Sequence, residues 1–309
     1  MNLFRTAIQS VWKKEHSDVK LNFVSWDCYS EDPPQSLDVF VFDAVFFHDF
    51  VDSLLPLSKD EIENYYDLIP YAVNACISDD VIYAVPQLIC ANLLYTRKGD
   101  IHFEIIYDLY HASERVFFYI PNEITMLCWY LEAVIDSEGK YTDTFQSLTE
   151  NNSVLESLHM IRAMSDKQII NGEELFKNGE GYAFIGYTEA MYKLGTNFDF
   201  NLFSLSSGDN IPVFYADLAG VNKYISEEKR LPAIELLNVI TCKDVLIKAA
   251  GSQYLLAARS SVYDFLSQSE PVYAKLKSIA ETPYIHIFMI RPSGRALFRN
   301  AKSIIEKAK

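Results

Sequence analysis

Apolar residues recur at helical spacing through the first sixteen positions, MNLFRTAIQSVWKKEH, where Leu3, Phe4, Ala7, Ile8 and Val11 share one face. A helix there has to bury those side chains. The period then changes. In DVKLNFVSW, Val19, Leu21 and Phe23 alternate with other residues, which predicts a strand. LDVFVFDAVFF, Leu37 to Phe47, is almost continuously apolar, as expected for a strand buried on both faces in a parallel sheet. Asp43 interrupts it near the carboxyl end, the end that faces the ligand crevice in open α/β sheets. VIYAVPQ and NLLYT predict two short strands flanking Cys90, and RVFFYIP, Arg115 to Pro121, predicts another.

Residues 122–180 read mainly as helix, with SVLESLHMIRAM clearly amphipathic. GYAFIGYTEAMYKLG, Gly181 to Gly195, reads as strand, tight turn and helix. NFDFNLFSLS and PVFYADLAGVN are predicted strands. SEEKRLPAIELLNVIT opens a helix with Ser226 at the N-cap and Glu227 and Glu228 in the first turn. From about residue 255 the chain reads as helices, ending in SGRALFRNAKSIIEKAK. Strands alternating with helices make the class α/β. No internal repeat, low-complexity tract or Gly/Ser linker interrupts the pattern.

Composition narrows the function. Half of the 309 residues are hydrophobic, enough for two lobes with proper cores. The 20 tyrosines can stack and donate a hydroxyl, so some suit a ligand cleft while others fill the core. A net charge of −15 argues against nucleic acid and suits a cationic small molecule, or simply solubility. Charges interrupt every apolar stretch well short of the roughly 20 residues a spanning helix needs. The N-terminus lacks the basic region and continuous apolar core of a signal peptide. The five cysteines, Cys28, Cys76, Cys90, Cys128 and Cys242, include no CxxC, and the six histidines show no ligand spacing, so no metal site is expected. GxGxxG, GxxxxGK[ST] and GxSxG are all absent, which leaves dinucleotide, P-loop and serine-hydrolase chemistry unsupported.

Cys90 sits alone in the apolar run VPQLICANLLYT and reads either as a small buried hydrophobe or as a nucleophile. A thiol of ordinary pKa, ~8.5, is mostly protonated at neutral pH and needs a base to react. No histidine offers a partner motif. Glu189, in the turn IGYTEA, is the alternative; a carboxylate cannot stabilise a thiolate by charge, but it can take the proton during attack. Equally, it suits the first turn of a helix. In FYAD, Tyr215 and Asp217 face one side of a strand. Asp43 and Asp217 are carboxylates within apolar strands, to be paired at a cleft or used as strand-end caps.

These segments together resemble the thiaminase I (thiamine pyridinylase) family. WDCYSEDPP followed by LDVFVFD is similar to its opening strand and loop. YAVPQLICANLLYTRKGD resembles the segment with its nucleophilic cysteine, AFIGYTEAM that with its catalytic glutamate, and IPVFYAD and QYLLAARSSVY its later blocks. The resemblance implies a two-lobed, periplasmic-binding-protein-like (type II) α/β fold with a ligand cleft between lobes. The lobes would comprise residues 1–95 with 213–258, and 96–212 with 259–309. It further implies that Cys90 adds to the pyrimidine of thiamine and expels the thiazole, and that an amine or thiol then displaces the enzyme. Glu189 would serve as base, Asp43 and Asp217 would hydrogen-bond the aminopyrimidine, and Tyr29, Tyr187 and Tyr215 would line the cleft. No cofactor, metal, nucleic acid or membrane is expected, and the chain is expected to be a monomer. The family is typically secreted. Two departures stand out: the family opens with a strand and a tyrosine-bearing loop ahead of the first helix, and a tyrosine upstream of its glutamate has no counterpart in DKQIINGEELFKNGEG. The first departure would leave the strands near KLNFVSW and VFVFD with unpaired backbone groups, as in an N-terminally incomplete or weakened relative. The competing class is a thiamine- or pyrimidine-binding protein without turnover; Cys90 and Glu189 occurring together favour the enzyme.

Overall fold

The computed structural model describes residues 2–100, 103–111, 116–118, 128, 172–203, 213–283, 285–289, 293–299 and 303. The chain forms two units, one of residues 1–89 and 215–282, the other of residues 90–214 and 283–309.

In the first unit, the helix Asn2–Glu15 buries Ala7, Ile8 and Trp12, with Phe4 and Val11 at the edge of the same stripe. Leu3, expected inside, is 57% exposed. The apolar stripe runs from Phe4 through Ile8 to Trp12, and Leu3 falls beside it in the first turn. Trp12 is anchored by its indole N–H, which donates to the Val19 carbonyl at 3.0 Å. The helix packs on the helices Glu227–Thr241 and Lys243–Ala250. The expected strand over Val19–Phe23 does not form: residues 19–27 belong to no helix or strand.

The strands are β1 (Val39–Asp43), β2 (Ile77–Ser78), β3 (Val81–Ile82), β4 (Val85–Ala91), β5 (Leu93–Thr96), β6 (Val116–Phe118), β7 (Ala183–Gly186), β8 (Asp199–Leu202), β9 (Val213–Val221), β10 (Leu256–Ala257) and β11 (His286–Ile287). One sheet has the order β1-β9-β4-β10, with β11 added alongside β9. β1 is antiparallel to β9, not part of a parallel run. Nor is it buried on both faces: Phe40 and Phe42 point inward, while Val39, Val41 and Asp43 are partly exposed. Its apparent continuity arises because Ala44, Val45, Phe46 and Phe47 lie in buried helical turns just beyond the strand end.

Buried Arg259 ties this unit together. Its Nε donates to the Thr241 carbonyl at 2.6 Å, and Nη1 and Nη2 donate to the carbonyls of Asn64 and Glu63, each at 2.9 Å. Asn64 is left-handed (φ 50°), which asparagine tolerates better than most residues. Asp67 accepts from the Ser261 N–H and hydroxyl at 2.9 and 2.6 Å and so secures the start of the helix Ser260–Leu266. At Ser226 the predicted helix start is correct, although the serine hydroxyl faces Glu228 Oε1 at 3.4 Å instead of capping a backbone N–H. The region beyond 255, expected to be helical, also contains the short strands β10 and β11. Two-residue strands are too short to show a period.

The second unit holds the sheet β6-β7-β5-β8. β5 lies between β7 and β8, antiparallel to both, with Leu93 opposite Gly186 and Leu202. Leu94, Leu109, Val116, Ala183, Ile185 and Phe203 form its core. Arg97, just past the end of β5, holds the segment that leads into β7 through the Gly181, Phe176 and Glu180 carbonyls at 2.7, 2.8 and 3.1 Å. Most of the predicted helical stretch 122–180, including SVLESLHMIRAM, lies outside the described residues; Gly172–Lys177 within it is a helix.

Candidate active site

Two groups of the predicted residues fall in different units. Asp43, Asp217, Tyr29 and Tyr215 belong to the first, and Cys90, Glu189 and Tyr187 to the second.

Asp43 ends β1 and sits opposite Asp217 in the β1–β9 register. Residues directly opposite in an antiparallel pair share a face, with Cβ atoms about 4.5–5.5 Å apart. The two carboxylates are therefore neighbours. Asp43 Oδ1 accepts from the Val45 N–H at 3.0 Å and Oδ2 from the Tyr29 hydroxyl at 3.1 Å. Burial nonetheless pushes its carboxyl up to about 6, outweighing both hydrogen bonds. Tyr29 is exposed, with its ring edge-on to Phe46 at 4.9 Å. Tyr215 is buried two residues before Asp217, on the same face of β9.

Cys28 joins this group and was not singled out from sequence. Burial pushes its thiol up to about 12, with the Asp43, Asp217 and Asp27 carboxylates adding to the shift. The signal was its place in DCYS, one residue before Tyr29. A thiol held this far up is a neutral group at physiological pH, not a nucleophile.

In the second unit, Cys90 is not in a gap between strands, as NLLYT and VIYAVPQ suggested, but inside β4, partly exposed among buried neighbours. The strand simply continues through VPQLICA because Pro86 is tolerated early in it. Only Asn92 separates β4 from β5. Glu189 follows β7 and immediately precedes the helix Ala190–Leu194. The β5–β7 ladder ends at the pair Leu93–Gly186. Cys90 lies three residues before Leu93, in β4, and Glu189 three residues after Gly186, in the turn beyond β7, so both lie close along the chain to this end of the ladder. The Tyr95 hydroxyl donates to the Tyr187 carbonyl at 2.8 Å and approaches that of Thr188 at 3.4 Å, pinning the turn that carries Glu189. Gly186 is required where the turn begins, because a Cβ there would meet the Phe184 ring at 2.6 Å.

Glu189 has a buried Oε2 without a hydrogen-bond partner. Its carboxyl is raised above the ordinary value, chiefly by burial, with the nearby Glu173 charge adding to the effect. An underhydrated carboxylate of raised pKa is suited to accept a proton. Among the described residues no cluster of His, Cys, Asp or Glu could hold a metal ion, and no helix is long and apolar enough to cross a membrane.

The chain has a periplasmic-binding-protein-like (type II) α/β fold. Maltose-bound MalE3 of T. maritima superposes with a TM-score of 0.74 over 100% of this chain and 92% of its own, at 16% identity, a likeness of fold alone. A thiaminase-1 domain model matches residues 112–208. Thiaminase-1 of Paenibacillus thiaminolyticus is 33% identical, over 99% of this chain and 84% of its own length. Clostridium botulinum thiaminase I, solved in complex with thiamin, is 37% identical with a TM-score of 0.92, covering 99% of this chain and 95% of that one. The chain belongs to the thiaminase I family, the thiamine-degrading transferases.

Proposed function

We propose that this chain cleaves thiamine by exchanging its thiazole for a small amine or thiol, through a covalent intermediate between Cys90 and the pyrimidine. Glu189 accepts the Cys90 proton as Sγ bonds to the pyrimidine ring, and the thiazole leaves with the electrons of its bond to the pyrimidine methylene. Glu189 passes that proton to solvent and then accepts the proton of the incoming nucleophile, which takes the thiazole's place as Sγ is released; Glu189 returns the proton to Sγ, which restores the thiol. Asp43 and Asp217 hold the aminopyrimidine, and Tyr29, Tyr187 and Tyr215 line the substrate.

The observation that carries this reading is Glu189 Oε2, buried and unpartnered in the turn beyond the Leu93–Gly186 end of the β5–β7 ladder, with Cys90 three residues before Leu93 on the other side of that pair. The opposed Asp43 and Asp217 supply the recognition half. A raised carboxyl at Asp43 suits a donor-bearing, partly cationic heterocycle, and the family relative bound to thiamin supports the substrate class. The test is thiamine loss with aniline or pyridine as co-substrate, compared between the native chain and Cys90→Ser, together with intact mass after a pyrimidine analogue bearing a leaving group. Turnover and a Cys90 adduct are expected in the native chain, and neither in the variant. Reversible binding alone would identify a binding protein without turnover and overturn the proposal.

A further inference from the structure

The central strand β5 carries Tyr95, fully buried, with Phe184 of β7 and Phe200 of β8 directly opposite it in the two ladders. Their ring centroids lie 5.9 and 6.1 Å from its own, so the phenol ring is held from both sides within one row of the sheet. Its hydroxyl donates to the Tyr187 carbonyl at 2.8 Å and lies 3.4 Å from that of Thr188. The same two carbonyls accept from the Ala190 and Met191 N–H groups, each at 3.1 Å. One hydroxyl therefore meets the two peptide planes just ahead of Glu189 where they start the helix Ala190–Leu194. The second of those planes contains the Glu189 nitrogen, so it sets the direction in which the Glu189 side chain leaves the backbone. Phenylalanine would satisfy the packing on Phe184 and Phe200; what the tyrosine hydroxyl adds is confined to this turn.

We propose that Tyr95 is a positioning residue for thiamine cleavage, its hydroxyl holding the Tyr187–Glu189 turn so that the buried Glu189 Oε2 stands at a fixed point for proton transfer. The proposal rests on Glu189 being the base. Displacing a reacting group by about 1 Å can cost about 10²-fold in rate. Burial keeps the Glu189 carboxyl above its ordinary value, and Glu173, on the helix Gly172–Lys177 and paired with Lys193 at 2.6 Å, adds to the effect. A loosened turn admits water to Oε2, lowers that carboxyl and makes it a weaker base.

The test is Tyr95→Phe, which keeps the ring and leaves the Tyr187 carbonyl its bond from Ala190. Turnover is expected to fall about 10- to 100-fold, with the acid limb of the rate profile moved to lower pH. Thiamine affinity, measured by calorimetry in a Cys90→Ser background, is expected to stay unchanged. In a Glu189→Gln background the same substitution is expected to cost nothing further, because it acts only through the carboxylate. The Glu189 titration is also read directly, by NMR of carboxyl-labelled glutamate with the signal identified by its loss in Glu189→Gln. That titration is expected to move to lower pH in Tyr95→Phe, and the measurement needs no turnover. An unmoved titration, a full additional loss in the double variant, or a Tyr95→Phe chain that fails to fold would each overturn the proposal. A moved titration with Glu189→Gln still at the native rate would overturn the base assignment, and with it the catalytic use of the turn that Tyr95 holds.

Discussion

Asp43→Asn should stabilise the free protein while weakening its hold on thiamine, and the two effects can be separated by pH. The Asp43 carboxyl is raised to about 6 by burial, against about 3.9 when unperturbed. Two pH units correspond to about 3 kcal/mol. A carboxyl raised in the folded state is more easily ionised in the unfolded chain. Folding therefore carries no penalty from this group below about pH 4, an increasing one between about pH 4 and 6, and the full penalty above. Asparagine has no charge to desolvate. Its carbonyl can keep the Val45 N–H, but the bond from the Tyr29 hydroxyl is lost; that bond is worth about 1 kcal/mol, and exposed Tyr29 can turn to water. The net gain is about 1–2 kcal/mol at pH 8. For a unit of this size, each kcal/mol moves the melting midpoint by about 2–4 °C. Thermal unfolding of native chain and variant at pH 4 and pH 8 checks it, with thiamine affinity measured by calorimetry. The variant should melt higher than the native chain at pH 8, and level or lower at pH 4. Affinity for thiamine should fall about 5- to 150-fold, from about 1–3 kcal/mol of unpaired hydrogen-bonding groups. A variant destabilised equally at both pH values would refute the reasoning, because the carboxylate would then be held by its partners more than it is penalised by burial.

Glu189→Gln should lower turnover about 10²–10⁴-fold with unchanged unfolding, the usual worth of a general base; in the native chain the acid limb of the rate profile should lie above the ordinary carboxylate range, because the base must be deprotonated to work and its pKa is raised. Cys28, with its thiol pushed up to about 12, should resist iodoacetamide at pH 8, and peptide mapping that finds it alkylated as fast as an exposed thiol would contradict that. Arg259→Leu should destabilise the first unit by about 1–3 kcal/mol, since the buried Thr241 carbonyl and the part-buried Asn64 and Glu63 carbonyls lose their donor; urea unfolding monitored by tryptophan fluorescence reads this, and Arg259→Lys should recover little because an ammonium cannot span the three acceptors.

Much of the fold was legible because period and punctuation agree over long segments. The helices Asn2–Glu15 and Glu227–Thr241 and the strand–turn–helix around Gly186 and Glu189 follow directly from spacing. Sheet direction was not legible: β1 has the apolar density of a parallel strand because buried turns extend its run. Nor was the state of Val19–Phe23, since alternation reports a face to bury and not whether a ladder partner exists. Cys90 and Glu189 lie about a hundred positions apart in sequence; only the pairing of β5 with β7 brings the segments that carry them to one end of a ladder. Cys28 carries no sequence signal, because burial beside carboxylates brought together from separate strands has no sequence period.

The chain order of the first unit has a consequence for its synthesis. Glu63 and Asn64 receive their donors from Arg259, yet the intervening residues include the bulk of the second unit, residues 90–214. At a translation rate of roughly 5–20 residues per second, the amino-terminal part waits about 6–25 s at the ribosome before residues 215–282 begin to emerge. During that interval Phe40, Phe42, Phe46, Phe47 and Phe50, all buried in the finished protein, have no β9 to lie beside. The nascent chain thus passes through a long-lived aromatic-rich stage that is a natural client for a holding chaperone, and a codon-level slowdown before residue 215 should lower soluble yield more than the same slowdown after residue 282.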